Sequence, residues 1–595
     1  MKPFDHNKFI GYVCEVTPSY IRLQIPSAKL MSSFYFDGEL YYGGAVGSFV
    51  TIEGQEFGFL GRIFEICLPQ GEKIEITENI INQDDTTFHP IAKVEYLGLF
   101  NIYSPQNLVK TISRYPHVGA KVYSCSDEQI KNYIERFGVK DNNDNYEPLA
   151  PLGSLTSNDV ICHVSLNSLF GRHCAVLGTT GGGKSWTVAK LMELVSNHTN
   201  NKCIFIDATG EYSELDNSEI IEIGNGDYIF DYKNLSIDEL YFLLKPSSKI
   251  QVPKLMDAIR SLKMVKLDNS DQLSDYYLKE GDGKVNKSTL NKTSKSKRKF
   301  DVFYYKHISE IEDNTCNFDF KYLAKQIANE CVWNSTINDS TSWGSRNDTD
   351  ISNCVSLISR INNVMSTSEY NNIFGFRNDT DTNKKDIKSG IQAFLNSDKM
   401  ILNLDFSKVS FDYQVRELLV NAIGRYLLKE ARSGTFKHAP VIVFMDESHQ
   451  FLNKNISDDF FSKKELDAFE QISKESRKYG LFLCIATQMP RDIPVGTLNQ
   501  FGTFIVHRLI NEQDKKTVEN ASSVANRNSL SFLPILGEGE ALLLGVDFPM
   551  PLMLKISPPQ KKPNSETPKL SIKKVSIVDE IKNQILTDDD LALLS

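Results

Sequence analysis

Gly178-Thr179-Thr180-Gly181-Gly182-Gly183-Lys184-Ser185 sets a lysine and a hydroxyl behind a run of glycines. Such a loop turns successive backbone N–H groups toward one small volume, and a phosphate chain is what fits there. In the pattern G-x-x-x-x-G-K-[ST] the lysine reaches the β and γ phosphates of a nucleoside triphosphate and the serine hydroxyl ligates Mg²⁺. Lys184 is therefore the expected phosphate-binding cation and Ser185 a metal ligand, with Gly178 through Ser185 as the phosphate cradle and Trp186, next in the chain, also expected to bind the nucleotide.

Hydrolysis at such a loop needs carboxylates, a sensor and positive charge. Val441-Ile-Val-Phe-Met ends in Asp446-Glu447, and acids at the carboxyl end of a buried parallel strand lie where open α/β sheets bind ligands. Asp446 is expected to hold Mg²⁺ through water, and Glu447 to polarise the attacking water as general base. Asp207, ending the run Cys203-Ile-Phe-Ile, and Glu211 either orient water or Mg²⁺ or form a polar turn. Gln488, after Leu481-Phe-Leu-Cys-Ile-Ala-Thr487, is placed to sense the γ-phosphate. Arg477, Arg508 and Arg172 are the candidates for charge supplied in the transition state, from the same or a neighbouring subunit.

These residues require strand–loop–helix units. Cys174-Ala-Val-Leu reads as the strand before the loop and Trp186 to Val195 as the helix after it, an α/β pattern that resumes at Met400. Residues 8 to about 160 read instead as short strands with glycine-bearing turns, a small β-barrel, followed by the linker-like Glu147-Pro-Leu-Ala-Pro-Leu-Gly153. The expected division is a barrel with linker over 1–160, a first α/β part over 161–235, and a helical insertion with mobile polar loops over 236–395. A second α/β part over 396–548 and an extension over 549–595 complete it. Within the insertion, Lys284 to Lys299 carries seven Lys or Arg and no acid; it is either a DNA-phosphate contact or a solvated loop. Lys463 and Lys464 are further candidates for DNA contact, and Val575 to Leu594 is expected as a terminal helix.

The 595 residues suffice for about three to four domains. Apolar residues make up 41% and charged residues 24%, with ten cysteines. The cysteines are scattered with no C-x-x-C pair, which argues against a disulfide scaffold or a zinc ribbon. Cys162, Cys174, Cys203 and Cys484 lie in apolar runs and are expected to be buried thiols. With no apolar leader and no long apolar run, a cytoplasmic protein is expected. The formal charge of −10 argues against a protein that simply coats nucleic acid. Any DNA contact must be local, as in a basic channel through an acidic ring.

Taken together, the barrel, Arg172-His-Cys-Ala-Val-Leu with the glycine loop, Ile206-Asp-Ala-Thr-Gly-Glu-Tyr, Phe444-Met-Asp-Glu-Ser-His-Gln-Phe, Glu475-Ser-Arg-Lys-Tyr-Gly and Ile485-Ala-Thr-Gln-Met-Pro resemble the HerA family of hexameric DNA translocases, relatives of the FtsK-type pumps. The resemblance implies a RecA-like P-loop ATPase core that binds ATP and Mg²⁺, with an N-terminal barrel and a helical insertion. It also implies a ring of six subunits around double-stranded DNA, and an effector docked on the barrel face: a NurA-type nuclease or, in bacterial antiviral defence, a nuclease or a sirtuin-like NAD-consuming enzyme. The family's arginines fall on Arg172 and Arg477, with Arg508 as a further candidate. The family's Asp-x-His-Gly-Glu-Tyr motif has Thr209 at the histidine, so no role is carried to that position.

Overall fold

The computed structural model describes residues 3–564 apart from 70–87, 111–113, 137–147, 157–159, 226, 248, 280–284, 337–338, 378–383, 411–413, 453–465, 523–524 and 526. Lys284, Lys463, Lys464 and the expected helix at 575–594 lie outside the described residues.

Six N-terminal strands close on themselves: β1 (Phe9–Val16), β2 (Tyr20–Gln24), β3 (Phe49–Ile52), β4 (Phe57–Cys67), β5 (Ile91–Asn101) and β6 (Lys121–Ser124). They pair in the order β1-β2-β5-β4-β3-β6, and β6 returns to β1, every pair antiparallel. Alternating residues such as Ile10, Ile21, Leu23, Val50, Ile52, Val94 and Val122 point inward and fill the interior, so closure leaves none of the six strands with a free edge.

The second sheet holds eleven described strands: β7 (Leu149–Leu155), β8 (Ile161–Ser165), β9 (Cys174–Leu177), β10 (Lys202–Asp207), β11 (Ser218–Glu222), β12 (Ile401–Asp405), β13 (Val441–Met445), β14 (Leu481–Thr487), β15 (Thr503–Val506), β16 (Glu540–Gly545) and β17 (Leu552–Ile556). Their spatial order is β8-β7-β17-β16-β15-β9-β14-β13-β10-β12-β11, parallel from β15 to β11 and antiparallel from β15 back to β8. The central strands are fully apolar and buried, as strands covered on both faces must be. The four cysteines expected to be buried thiols are buried, and all described cysteines are free.

Two boundaries shift. The stretch read as a linker contains β7, which pairs with β8 and β17, and β17 itself lies beyond the boundary at 548. Proline and glycine misled the reading because each has a local use here. Pro151 stands at an irregularity in the β7–β8 ladder, where a missing N–H costs little. A Cβ on Gly153 would come within 2.3 Å of the Lys555 carbonyl oxygen.

The helices include α1 (Lys184–His198), α2 (Ile237–Leu244), α3 (Gln251–Leu267), α4 (Leu323–Glu330), α5 (Asp348–Ser366), α6 (Ile387–Leu395), α7 (Val415–Arg432) and α8 (Ala468–Glu475). Helices α2 to α6 belong to the insertion, and sequence-local caps start two of them. Ser236 and Glu239 form a reciprocal capping box on α2, and Asn347 accepts from Thr349 and Asp350 at the head of α5. The insertion shares one core with the central sheet.

The basic run is not the loose loop expected of it. Val285–Leu290 is a strand; Lys292 is buried, pairs with Glu330 and lies over the rings of Phe300 and Trp343. Lys287 pairs with Asp271, and Lys299 with Asp275. These three charges, which composition counted as uncompensated, are met by acids distant in sequence.

Barrel and central domain meet through a buried charge. Arg62 on β4 is 0% exposed; its Nε donates to Oε1 of Glu95 at 2.9 Å, and its Nη2 donates to Oγ of Ser529 at 3.0 Å. Its Nη1 donates to the carbonyl of Pro551, so one guanidinium joins two barrel strands to the segments on either side of β16. Among the described residues no helix is long and apolar enough to cross a membrane.

Candidate active site

The glycine loop leaves the carboxyl end of β9, between β15 and β14, and α1 begins at Lys184. Gly183, at φ +103°, makes the turn into the helix. Gly178 passes so close to β15 that a Cβ there would lie 2.6 Å from the Cβ of His507. His507 then locks the loop from below: its N–H donates to the Leu177 carbonyl at 2.7 Å, its Nδ1 lies 2.9 Å from the Glu540 carbonyl and its Nε2 2.9 Å from Oγ1 of Thr187. A carbonyl only accepts, so Nδ1 carries the proton and Nε2 accepts from the Thr187 hydroxyl. Burial, with the charge of Lys184, keeps this ring neutral with a pKa of about 4.

The Lys184 ammonium donates to the Thr179 carbonyl at 3.1 Å. Burial lowers its pKa, against the raising charges of Glu447, Asp446 and Glu211. Three carboxylates thus share one buried ammonium.

Asp446 follows β13 and is 3% exposed. Its Oδ1 accepts from the Glu447 N–H at 2.8 Å and its Oδ2 from the Tyr212 hydroxyl at 2.8 Å. Burial and the neighbouring Glu447 push its carboxyl up to about 7. Glu447 holds φ at +43°, a left-handed conformation that costs a non-glycine residue of order 1–3 kcal/mol. That turn aims its side chain at two partners: Gln488 Nε2 donates to its Oε1, and its Oε2 lies 3.3 Å from His449 Nδ1. Burial alone would raise the carboxyl, but His449, Gln488 and Lys184 outweigh it and hold it below the ordinary value. The two adjacent acids are driven apart, and the one expected to act as base stays ionised.

Gln488 also accepts from the Thr180 hydroxyl at 2.6 Å. One amide therefore joins the glycine loop to the general-base candidate, and it can do so because β14 lies between β9 and β13.

The Asp207 carboxylate is engaged in a polar turn. It is 0% exposed, and its carboxylate accepts from the N–H groups of Gly210 at 2.8 Å, Thr209 at 3.1 Å and Tyr212 at 3.3 Å. This turn brings up Tyr212, whose ring packs 4.5 Å from that of Phe205. Glu211 lies close enough to Ser185 and Lys184 for both to lower its pKa, but burial, Asp207 and Glu447 outweigh them and raise it.

The arginines separate into two groups. Arg508 follows β15 beside its own loop: its carbonyl accepts from the Thr179 N–H at 3.0 Å, and its Nε is buried with no hydrogen-bond partner among the described residues. Arg172 and Arg477 precede β9 and β14, at the amino ends of these central strands and away from the loop, roughly 20 Å for a seven-residue strand. Arg172 pairs with Asp547 at 2.9 Å, half exposed, and Arg477 is exposed. Neither reaches the loop of its own chain. His173, between them in space, accepts from the Leu483 N–H at Nδ1 (3.0 Å) and donates from Nε2 to the Ser473 carbonyl (3.1 Å). Burial and the Arg477 charge lower its pKa to about 4.

Sequence reasoning assigned no role to Tyr212, His449 or His507. The signals present were a tyrosine ending the Asp207 turn, a histidine two residues after Glu447, and a histidine at the end of β15.

The donor set fits a magnesium nucleotide. Ser185 supplies a hydroxyl, and Asp446, with Glu447 and Glu211 nearby, leaves a carboxylate excess over Lys184 that a divalent cation would offset. Among the described residues no cluster of three acidic, histidine or cysteine side chains could cage a metal. Mg²⁺ usually takes one or two protein oxygens and completes its shell with phosphates and water.

Two family models match the chain: "Helicase HerA, central domain" over residues 150–431 and "Helicase HerA-like C-terminal" over residues 429–569. A probable helicase of Methanocaldococcus jannaschii is 23% identical over 565 residues, 93% of this chain and 91% of its own length. The DNA double-strand break repair helicase HerA of Sulfurisphaera tokodaii is 26% identical over 448 residues, 74% of this chain and 73% of its own. Among solved structures, VirB4 of Thermoanaerobacter pseudethanolicus overlays 70% of this chain and 98% of its own at a TM-score of 0.40 and 14% identity. The two models join end to end from 150 to 569, and the chain belongs to the HerA family of helicase-type ATPases.

Proposed function

We propose that the protein hydrolyses ATP to move double-stranded DNA, as a ring of six copies. The observation that carries the proposal is the connection of Thr180, Gln488 and Glu447, combined with arginines at the strand ends away from their own loop. Lys184 and the loop N–H groups would bind the β and γ phosphates, and Ser185 and Asp446 would hold Mg²⁺. When bound, the metal would offset phosphate charge. Glu447, kept ionised, accepts the proton of the attacking water. Loss of the γ-phosphate frees Gln488 to pull on Thr180, giving the loop two states. Arg172 or Arg477 of one copy would enter the site of the next, while Arg508 serves its own.

An effector, a NurA-like nuclease or a NAD-consuming enzyme, would dock on the barrel, a reading supported by the exposed aromatics Tyr35 (78%) and Tyr103 (92%). The test is displacement of a third strand from a DNA triplex. ATP should drive it with the wild-type chain and not with Glu447→Gln. Hydrolysis without displacement would leave a scaffold ring that assembles and activates an effector. No hydrolysis at all would sink both readings.

A further inference from the structure

Beyond β17 the chain leaves the sheet and runs back across α1. The Gln560 N–H donates to Oε2 of Glu193 at 2.6 Å, the Lys562 ammonium stands 5.0 Å from the centre of the Trp186 ring, and the Asn564 N–H donates to the Glu211 carbonyl at 2.7 Å. Glu193 lies about two helical turns beyond Trp186, so this strap runs antiparallel to α1 toward the glycine loop. Pro559 and Pro563 are buried, while Gln560, Lys561 and Lys562 face outward. Two prolines fix the backbone dihedral at the two anchor points. The strap is thus an extended wall along the first turns of the loop helix.

Trp186 immediately follows Ser185 and remains 37% exposed. In a loop of this kind the lysine meets the β and γ phosphates, and the α-phosphate lies toward the start of the helix. The γ end is closed by the Thr180–Gln488–Glu447 connection. The nucleoside would therefore leave the cradle at its other end, past the exposed part of the Trp186 side chain and alongside the strap. An indole face offers a purine and its ribose a large stacking surface at small entropic cost, and a cation over an indole is attracted by the ring quadrupole.

We propose that Trp186 and the strap over residues 557–564 form the nucleoside subsite, the indole packing on ribose and base while Lys562 fixes the indole's orientation. This rests on the reading of Gly178–Ser185 as a nucleotide loop. It assigns the residues after β17 a part in substrate binding, distinct from phosphate binding and from hydrolysis.

The test uses the full chain and two probes, ATP and inorganic tripolyphosphate, which carries the phosphates without a nucleoside. Trp186→Ala should weaken ATP about tenfold and Lys562→Ala about threefold, the double variant no more than Trp186→Ala alone, with Trp186→Phe restoring most of the affinity. Tripolyphosphate should bind all four variants within about twofold of wild type. ATP, and not tripolyphosphate, should change tryptophan emission, and Trp186→Phe should remove that change. Unaltered ATP affinity in Trp186→Ala, or an equal loss for both probes, would overturn the subsite while leaving the phosphate loop intact. Additive single effects would remove Lys562 from it. Failure of the wild-type chain to bind either probe would instead overturn the nucleotide reading, and the subsite with it.

Discussion

The Tyr212 hydroxyl donates to Oδ2 of Asp446 at 2.8 Å across 234 residues of chain. Asp207 holds the Tyr212 N–H at 3.3 Å, so one acid sets the position of another through a tyrosine. Burial, with the Asp446 charge, keeps the phenol protonated and able to donate. In Tyr212→Phe the ring still packs on Phe205, and the fold should survive. Asp446 loses a donor to its charged form, and such bonds are worth about 1.5–3 kcal/mol. Turnover should fall about tenfold or more, and the Mg²⁺ needed for half-maximal rate should rise. An unchanged Mg²⁺ titration would refute the coupling.

Gln488→Ala should separate sensing from binding. The Thr180 and Glu447 hydrogen bonds both disappear, so turnover should drop by roughly 100-fold, within the range expected for misplacing a general base. ATP affinity should stay within a few-fold, because Lys184 and the loop N–H groups are untouched. Lys184→Ala should instead lose nucleotide binding. Equal binding loss in both variants would contradict this division.

Gly178→Ala is expected to be worse than its size implies. The new methyl would meet His507 Cβ at 2.6 Å, forcing β9 from β15 at the point where the Leu177 carbonyl accepts from His507. Overpacking of this kind costs typically 1–3 kcal/mol. Calorimetry should show a lower melting temperature together with weakened ATP binding; a stable variant with normal affinity would show that the two strands can part without consequence.

Arg62→Ala removes one partner of a buried pair and leaves Glu95 charged at the junction of barrel and central domain. Such losses cost about 3–5 kcal/mol. Arg62→Met combined with Glu95→Leu, which removes both charges, should recover most of it. Similar melting of the single and double variants would mean that the charge is not what binds the two parts.

Acid sensitivity follows from two histidines. His173 and His507 are held at about 4 in the folded chain, against about 6.5 unfolded. Between these values the unfolded chain binds more protons, so the stability gained by keeping both neutral is complete above about pH 6.5 and drains as pH falls toward 4. Asp446, raised to about 7, works oppositely: its carboxylate withholds stability above that value and returns it below. Other raised carboxyls, Glu211 among them, add to the effect of Asp446, so the histidines are read by difference: wild type should lose more melting temperature from pH 7 to pH 5 than a variant with both histidines replaced by glutamine. Asp446→Asn should raise the melting temperature at pH 8 and steepen the acid loss. Equal losses in wild type and in that histidine-free variant would contradict the buried neutral rings.

The loop, the paired acids and the sensor were legible because each ends an apolar strand with an unusual residue type. Sheet order was not: nothing local in Leu481–Thr487 announces that this strand lies between β9 and β13, though Gln488 can bridge the site only from there. Tyr212 was hidden because its role depends on a turn built by Asp207, and His507 because its partners Thr187 and Glu540 stand on other elements. The strand β7 was mistaken for a linker through Pro151, whose use depends on the β7–β8 ladder, and Gly153, whose neighbour stands about 400 residues later. The charges of Lys287, Lys292 and Lys299 misled for the same reason, their acids being distant in sequence.

That neighbour carries a consequence for the order of synthesis. Gly153 of β7 faces Ile556 of β17, so an early strand of the central sheet waits for a late one. The barrel strands end at Ser124 and can close while translation continues. The sheet cannot complete its β7–β17 pairing until Ile556 has left the ribosome. Until then β7 offers an open edge, which makes the interval between those two events the chain's period of greatest exposure to misassembly.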